Sequence, residues 1–117
     1  MTVLAAVAGI FIAAVAFISA LAKLQREPRV VESVTHVGVP ESRLPQLAAL
    51  EILGALAVLA GFIVPALGIA GALGLTLYFA GAVIFHLRVG DGPDAFGVPL
   101  ALAALAALAL VGRLLAG

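Results

Sequence analysis

Cysteine is absent, and charge is scarce: six Lys or Arg and six Asp or Glu among 117 residues, 10% of the chain, give a formal net charge of zero. The first absence excludes dithiol exchange and thiolate metal sites. The second leaves no basic run able to neutralise a phosphate backbone, so no nucleic acid partner is expected. With only two His and no Gly-rich dinucleotide fingerprint, neither a metal site nor an intrinsic redox cofactor is expected. Apolar residues are abundant instead: 65% of the chain is hydrophobic and the mean hydropathy is +1.32, far outside the soluble globular range. The chain reads as an integral membrane protein with the lipid bilayer as its first partner.

A spanning helix needs about 20 mostly apolar residues, since its backbone polar groups find partners only within the helix. Residues 1–22 carry no charged side chain and lack the basic region of a secretory signal, so they read as a retained helix. The uncharged block 52–85 is too long for one span, and Gly61 and Pro65 mark where it turns. A third block, 95–112, supplies the last span. The expectation is one all-α transmembrane domain over 1–117, a four-helix bundle with spans near 2–23, 44–63, 67–88 and 95–115. Both termini then lie at one end, and the connections 24–43 and 89–94 at the other.

The long connection, within QREPRVVESVTHVGVPESRL, repeats Val30, Val31, Val34 and Val37 at helical spacing. Pro28 suits its first turn and Gly38 its C-terminal cap. A short interfacial helix between the first two spans is expected. In the turn VGDGPDAF, Asp91 reads as a turn residue and Asp94 as an N-cap, while His36 reads as a solvated connection residue. Small residues mark where spans can approach closely: Ala5, Gly9 and Ala13, then Gly54, Ala57 and Gly61, then Gly68, Gly71 and Gly74. Such faces on several sides imply a homo-oligomer or a heteromeric complex.

Glu51 lies inside an apolar span, where a carboxylate is expensive and seeks a partner or water. Lys23 and Ser19 sit one turn apart at the connection end of the first span, and Tyr78, His86 and Arg88 lie toward that end of the third. Ser19, Lys23, Glu51, Tyr78, His86 and Arg88 are therefore the candidate ligand-binding set. For each a plainer reading stands beside it: a structural ion pair for Glu51, snorkelling for Lys23 and Arg88, packing for Tyr78 and an interfacial hydrogen bond for His86.

FISALAKL ending the first span, HVGVP in the connection, LEILGALAVLAG in the second span and GAVIFHL ending the third together resemble the DoxX-like membrane proteins. The matching positions are Lys23, Gly38, Glu51 and His86. The resemblance implies association with respiratory or sulfur-oxidising redox complexes in a prokaryotic plasma membrane, with quinone-linked oxidoreductase subunits, or with assembly of other membrane proteins. The lack of cysteine departs from any relative that uses a thiol pair. Two functions follow as expectations. One is an accessory subunit binding a quinone or other small amphiphile, such as a lipid, with His86 and Tyr78 on its oxygens and Glu51 and Lys23 setting charge. The other is a non-catalytic assembly subunit. Transport is disfavoured, since no paired broken helices supply a path. Lys23, Arg26, Arg29, Arg43 and Arg88 at the connection end against Arg113 at the other place the connections in the cytoplasm.

Overall fold

The computed structural model describes residues 3–116. It contains α1 (Val3–Leu24), α2 (Pro28–His36), α3 (Leu44–Ala60), α4 (Pro65–Arg88) and α5 (Pro93–Ala116), with a 3-10 turn at Glu41–Arg43 leading into α3. Four segments are long and apolar enough to cross a membrane: α1, the 3-10 turn with α3 (Glu41–Ala60), α4 and α5. The expected all-α bundle is present, with the short α2 between the first two spans.

Proline sets where the helices begin. α2, α4 and α5 open on Pro28, Pro65 and Pro93, where the missing N–H would have no intrahelical partner anyway. This moves two starts from those expected: α4 begins at Pro65 rather than 67, and α5 at Pro93 rather than 95. Asp94 consequently lies in the first turn of α5 rather than capping it. α3 stops at Ala60, short of the expected 63, because the backbone there tightens: Phe62 and Ile63 donate to the Leu59 and Ala60 carbonyls. The first span was expected from residue 2, which lies outside the described residues.

Two Schellman turns shape the connection end. After α2, Gly38 takes φ +92 and Val39 N–H donates to the Val34 carbonyl at 3.1 Å. After α4, Gly90 takes φ +79 and Asp91 N–H donates to the His86 carbonyl at 3.0 Å. Glycine suits both because it enters the left-handed region without a Cβ clash.

The spans form a closed ring in which α1 packs on α3, α3 on α4, α4 on α5 and α5 on α1. Its core is built from small residues, among them Ala13, Ala16, Ala55, Ala72 and Ala106, with Ile12, Val58, Leu75 and Phe79 filling the larger spaces. Large apolar side chains such as Ile10, Leu53, Leu77 and Leu114 face outward, where lipid solvates them. Close approach of α3 and α4 needs glycine: a Cβ on Gly71 would strike the α3 backbone at Val58. Gly74, expected at a helix contact, instead faces open space.

At the end of the bundle away from α2, Arg113 is buried. Its Nη1 donates to the Gly61 carbonyl and its Nη2 to the Val58 carbonyl, the latter at 3.0 Å, while the guanidinium lies 4.6 Å from the Phe62 ring centre. Gly61 and Gly68 leave room for it. Arg113 thus caps the last carbonyls of α3, where a cation also meets the negative end of the helix dipole.

Candidate functional site

The buried face of α3 consists of Leu44, Ala48, Glu51, Ala55 and Val58, alternating steps of four and three. Glu51 occupies a core position in that stripe and is fully buried, at 0% exposure. On α1 the stripe of Ala13, Ala16 and Ala20 continues to Lys23, also buried. Because α1 packs on α3, the two stripes meet, and Lys23 Nζ lies 2.7 Å from Glu51 Oε1. Ser19, one turn back on the same helix, accepts a hydrogen bond from Lys23 Nζ at 2.8 Å. The ammonium also sits 5.8 Å from the centre of the Tyr78 ring, and Tyr78 lies within electrostatic reach of Glu51.

Ser19, Lys23, Glu51 and Tyr78 are therefore brought together from α1, α3 and α4. The ion pair is held in low dielectric, where loss of either partner strands the other charge. Beyond the contact with Lys23, Tyr78 comes within hydrogen-bonding reach of the Glu51 carboxylate, but no well-formed hydrogen bond reaches either oxygen among the described residues. A buried acceptor left so exacts a desolvation penalty of about 1–3 kcal/mol. Buried ion pairs that only staple helices normally satisfy their remaining lone pairs.

Tyr78 also opens on the outside of the bundle. A groove of about 480 Å³ runs between α3 and α4, lined by Leu53, Gly54 and Ala57 on one side and Gly71, Gly74 and Tyr78 on the other. Its floor is glycine and alanine, its rim is leucine, and Tyr78 is its polar end. The aromatic ring thus separates a lipid-facing apolar channel from a buried charge pair.

His86 and Arg88 do not join this centre. Arg88 is exposed, its guanidinium 5.6 Å from the Phe85 ring centre. His86 turns to Asp91, with Nδ1 2.7 Å from Oδ2, and the other carboxylate oxygen meets His36 Nε2 at 2.8 Å. The cause is local. The Schellman turn at Gly90 folds Asp91 back over the last turn of α4, the place where side chains at these two positions of the motif meet. Asp91 lies in the turn and His36 is exposed, as expected, and the two also form a bridged cluster with His86. The two imidazoles hold the Asp91 carboxyl below the usual carboxylate range, chiefly through the His86 hydrogen bond and then that of His36. Among the described residues, no group of three His, Cys, Asp or Glu is placed to hold a metal ion.

No curated protein and no solved structure matches the chain. A family does. The DoxX-like family matches residues 4–109, a stretch that takes in α2, α3 and α4, nearly all of α1 and most of α5, and with them every residue of the buried charge centre. The chain, a ring of four apolar helices around a Lys23–Glu51 pair, belongs to the DoxX-like family.

Proposed function

We propose that the protein binds a small amphiphile, with a quinone as the leading candidate, as an accessory subunit of a redox complex. The apolar tail lies in the α3–α4 groove and the polar head reaches Tyr78 and the charge centre behind it. The observation that carries this reading is the Glu51 carboxylate, buried beside Lys23 with lone pairs left over, next to a tyrosine that forms the end of an apolar groove. A head group offering a hydrogen bond would meet Tyr78 first, and the Lys23 ammonium would favour an oxygen that gains negative charge. Chemistry of this kind needs few polar groups at the end of an apolar pocket. His86 and Arg88 have no part in it.

A groove-filling substitution tests the reading. Gly74 faces open space and lines the groove, so Gly74→Leu fills the groove without entering the bundle. Wild-type protein in lipid discs is expected to retain ubiquinone or menaquinone through native mass spectrometry, and Gly74→Leu to lose it with an unchanged melting temperature. Equal retention by a folded Gly74→Leu protein would contradict the proposal.

A second reading, an assembly subunit, is supported by Gly81 and Gly97, which face open space on the outside of the bundle. Glycine there weakens a helix by about 1 kcal/mol relative to alanine with no gain inside the chain. A partner helix, from a second copy or another membrane protein, would use the room.

A further inference from the structure

The His36–Asp91–His86 cluster lies apart from the charge centre and serves no step proposed above. It joins three elements: α2, the end of α4 and the turn into α5. Exposure falls along it, from 54% for the His36 side chain to 16% for Asp91 and 13% for His86. Beside it opens a cleft of about 370 Å³, lined by Arg29, Glu32, Ser33 and Ala95 as well as the cluster itself. Among the described residues, the His36–Asp91 contact is the one polar side-chain link from α2 to the spans or their turns. The remaining polar side-chain contact within α2, that of Thr35, goes to its own helix backbone.

We propose that Asp91, His36 and His86 form a proton-binding clasp that sets how firmly α2 is held across the mouth of the bundle. With both imidazoles neutral, each can offer one N–H to the carboxylate. Because the carboxylate is ionised these bonds are already charge-assisted, and protonation of an imidazole adds the attraction of opposite charges. The charged groups facing the clasp from α2 are Arg29 and Glu32, of opposite sign, while α5 contributes only Ala95 to the cleft. Two further charges flank the clasp in sequence, Asp94 in the first turn of α5 and Arg88 two residues after His86 at the end of α4, again of opposite sign. Asp91 stays ionised throughout the histidine range, because its two imidazole partners favour the charged form. The clasp thus tightens on acidification, as an imidazole takes up a proton beside the carboxylate. It relaxes as pH rises, freeing α2 to swing on the Gln25–Glu27 turn and open the cleft to water.

The chain has no cysteine, so two spin labels can be placed without background. Thr35→Cys on α2 and Leu87→Cys on the outer face of α4 report the separation by pulsed electron resonance in lipid discs. The expected result is a narrow, short distance distribution near pH 5.5 and a broader, longer one near pH 8.5. Asp91→Asn should remove the pH response and leave the broad distribution at both values. Should that variant fail to fold, His36→Gln, a change at a half-exposed side chain, must likewise abolish the shift. A wild-type distribution identical at both pH values, or a shift that survives either folded variant, overturns the proposal.

Discussion

Glu51 carries the balance of forces at this protein's centre. Its carboxylate is fully buried, and its ion-pair partner, the Lys23 ammonium, lies 2.7 Å away. Glu51→Gln keeps the shape but leaves Lys23 buried without its partner, and breaking a buried pair from one side costs about 3–5 kcal/mol. A fall of that order in unfolding free energy is expected, read by denaturant titration in detergent, with Lys23→Met giving a loss of similar size. Asp91 obeys a different rule. Its carboxyl is held below the usual range, so its contribution to stability is present above the unfolded carboxylate value of about 3.9 and is lost as pH falls below it. The melting-temperature gap between wild type and Asp91→Asn should therefore be no smaller at pH 5 than at pH 7, and close only below about pH 4.

Glu51 was legible as a costly buried carboxylate, and Lys23 and Ser19 as neighbours on one helical face. Which cation pairs with it was not. Three candidates lay at the same end of the bundle, and the choice depended on α1 packing directly against α3, a contact that hydropathy does not encode. Asp91 does stand in the turn, but turn chemistry alone accounts for an aspartate among glycines and hides its bridge to two histidines. The signal for its true role was present: His86 and Asp91 stand five residues apart around Gly90, the spacing at which a Schellman turn brings two side chains together.

At the scale of elements, α3 and α4 divide their glycines into two kinds. Gly71 is pressed against the α3 backbone, whereas Gly81 has nothing near where a Cβ would stand. Gly71→Ala should destabilise the bundle, overpacking of about 1–3 kcal/mol outweighing the gain in helix propensity of about 1 kcal/mol. Gly81→Ala should be neutral or stabilising in the isolated protein. Thermal unfolding of the two variants side by side reads the difference directly. The helices themselves were foreseeable from their uncharged lengths, as was α2 from its valine spacing and flanking Pro28 and Gly38. Their bounds differ by a few residues because Pro65 and Pro93 begin the first turns of α4 and α5 and the backbone tightens after Ala60.

For the whole molecule, burial sharpens the charge asymmetry along the bundle. Arg26, Arg29, Arg43 and Arg88 are exposed at the connection end, while Arg113 at the opposite end is buried against backbone carbonyls. Basic residues held cytoplasmic set orientation, so a cysteine placed at Ser42 should react with an impermeant thiol reagent from the cytoplasmic face alone. Labelling from the outer face would reverse the orientation.

The Lys23–Glu51 centre is proposed to serve a bound amphiphile rather than the bundle's own stability. Apolar replacement of a whole buried pair is often neutral or stabilising, so Lys23→Leu with Glu51→Leu separates the two roles. The measurement is thermal stability together with quinone retention by native mass spectrometry from lipid discs. The account predicts a folded double variant with wild-type or higher melting temperature that has lost the retained quinone. A folded double variant that keeps the quinone at the wild-type level would contradict it.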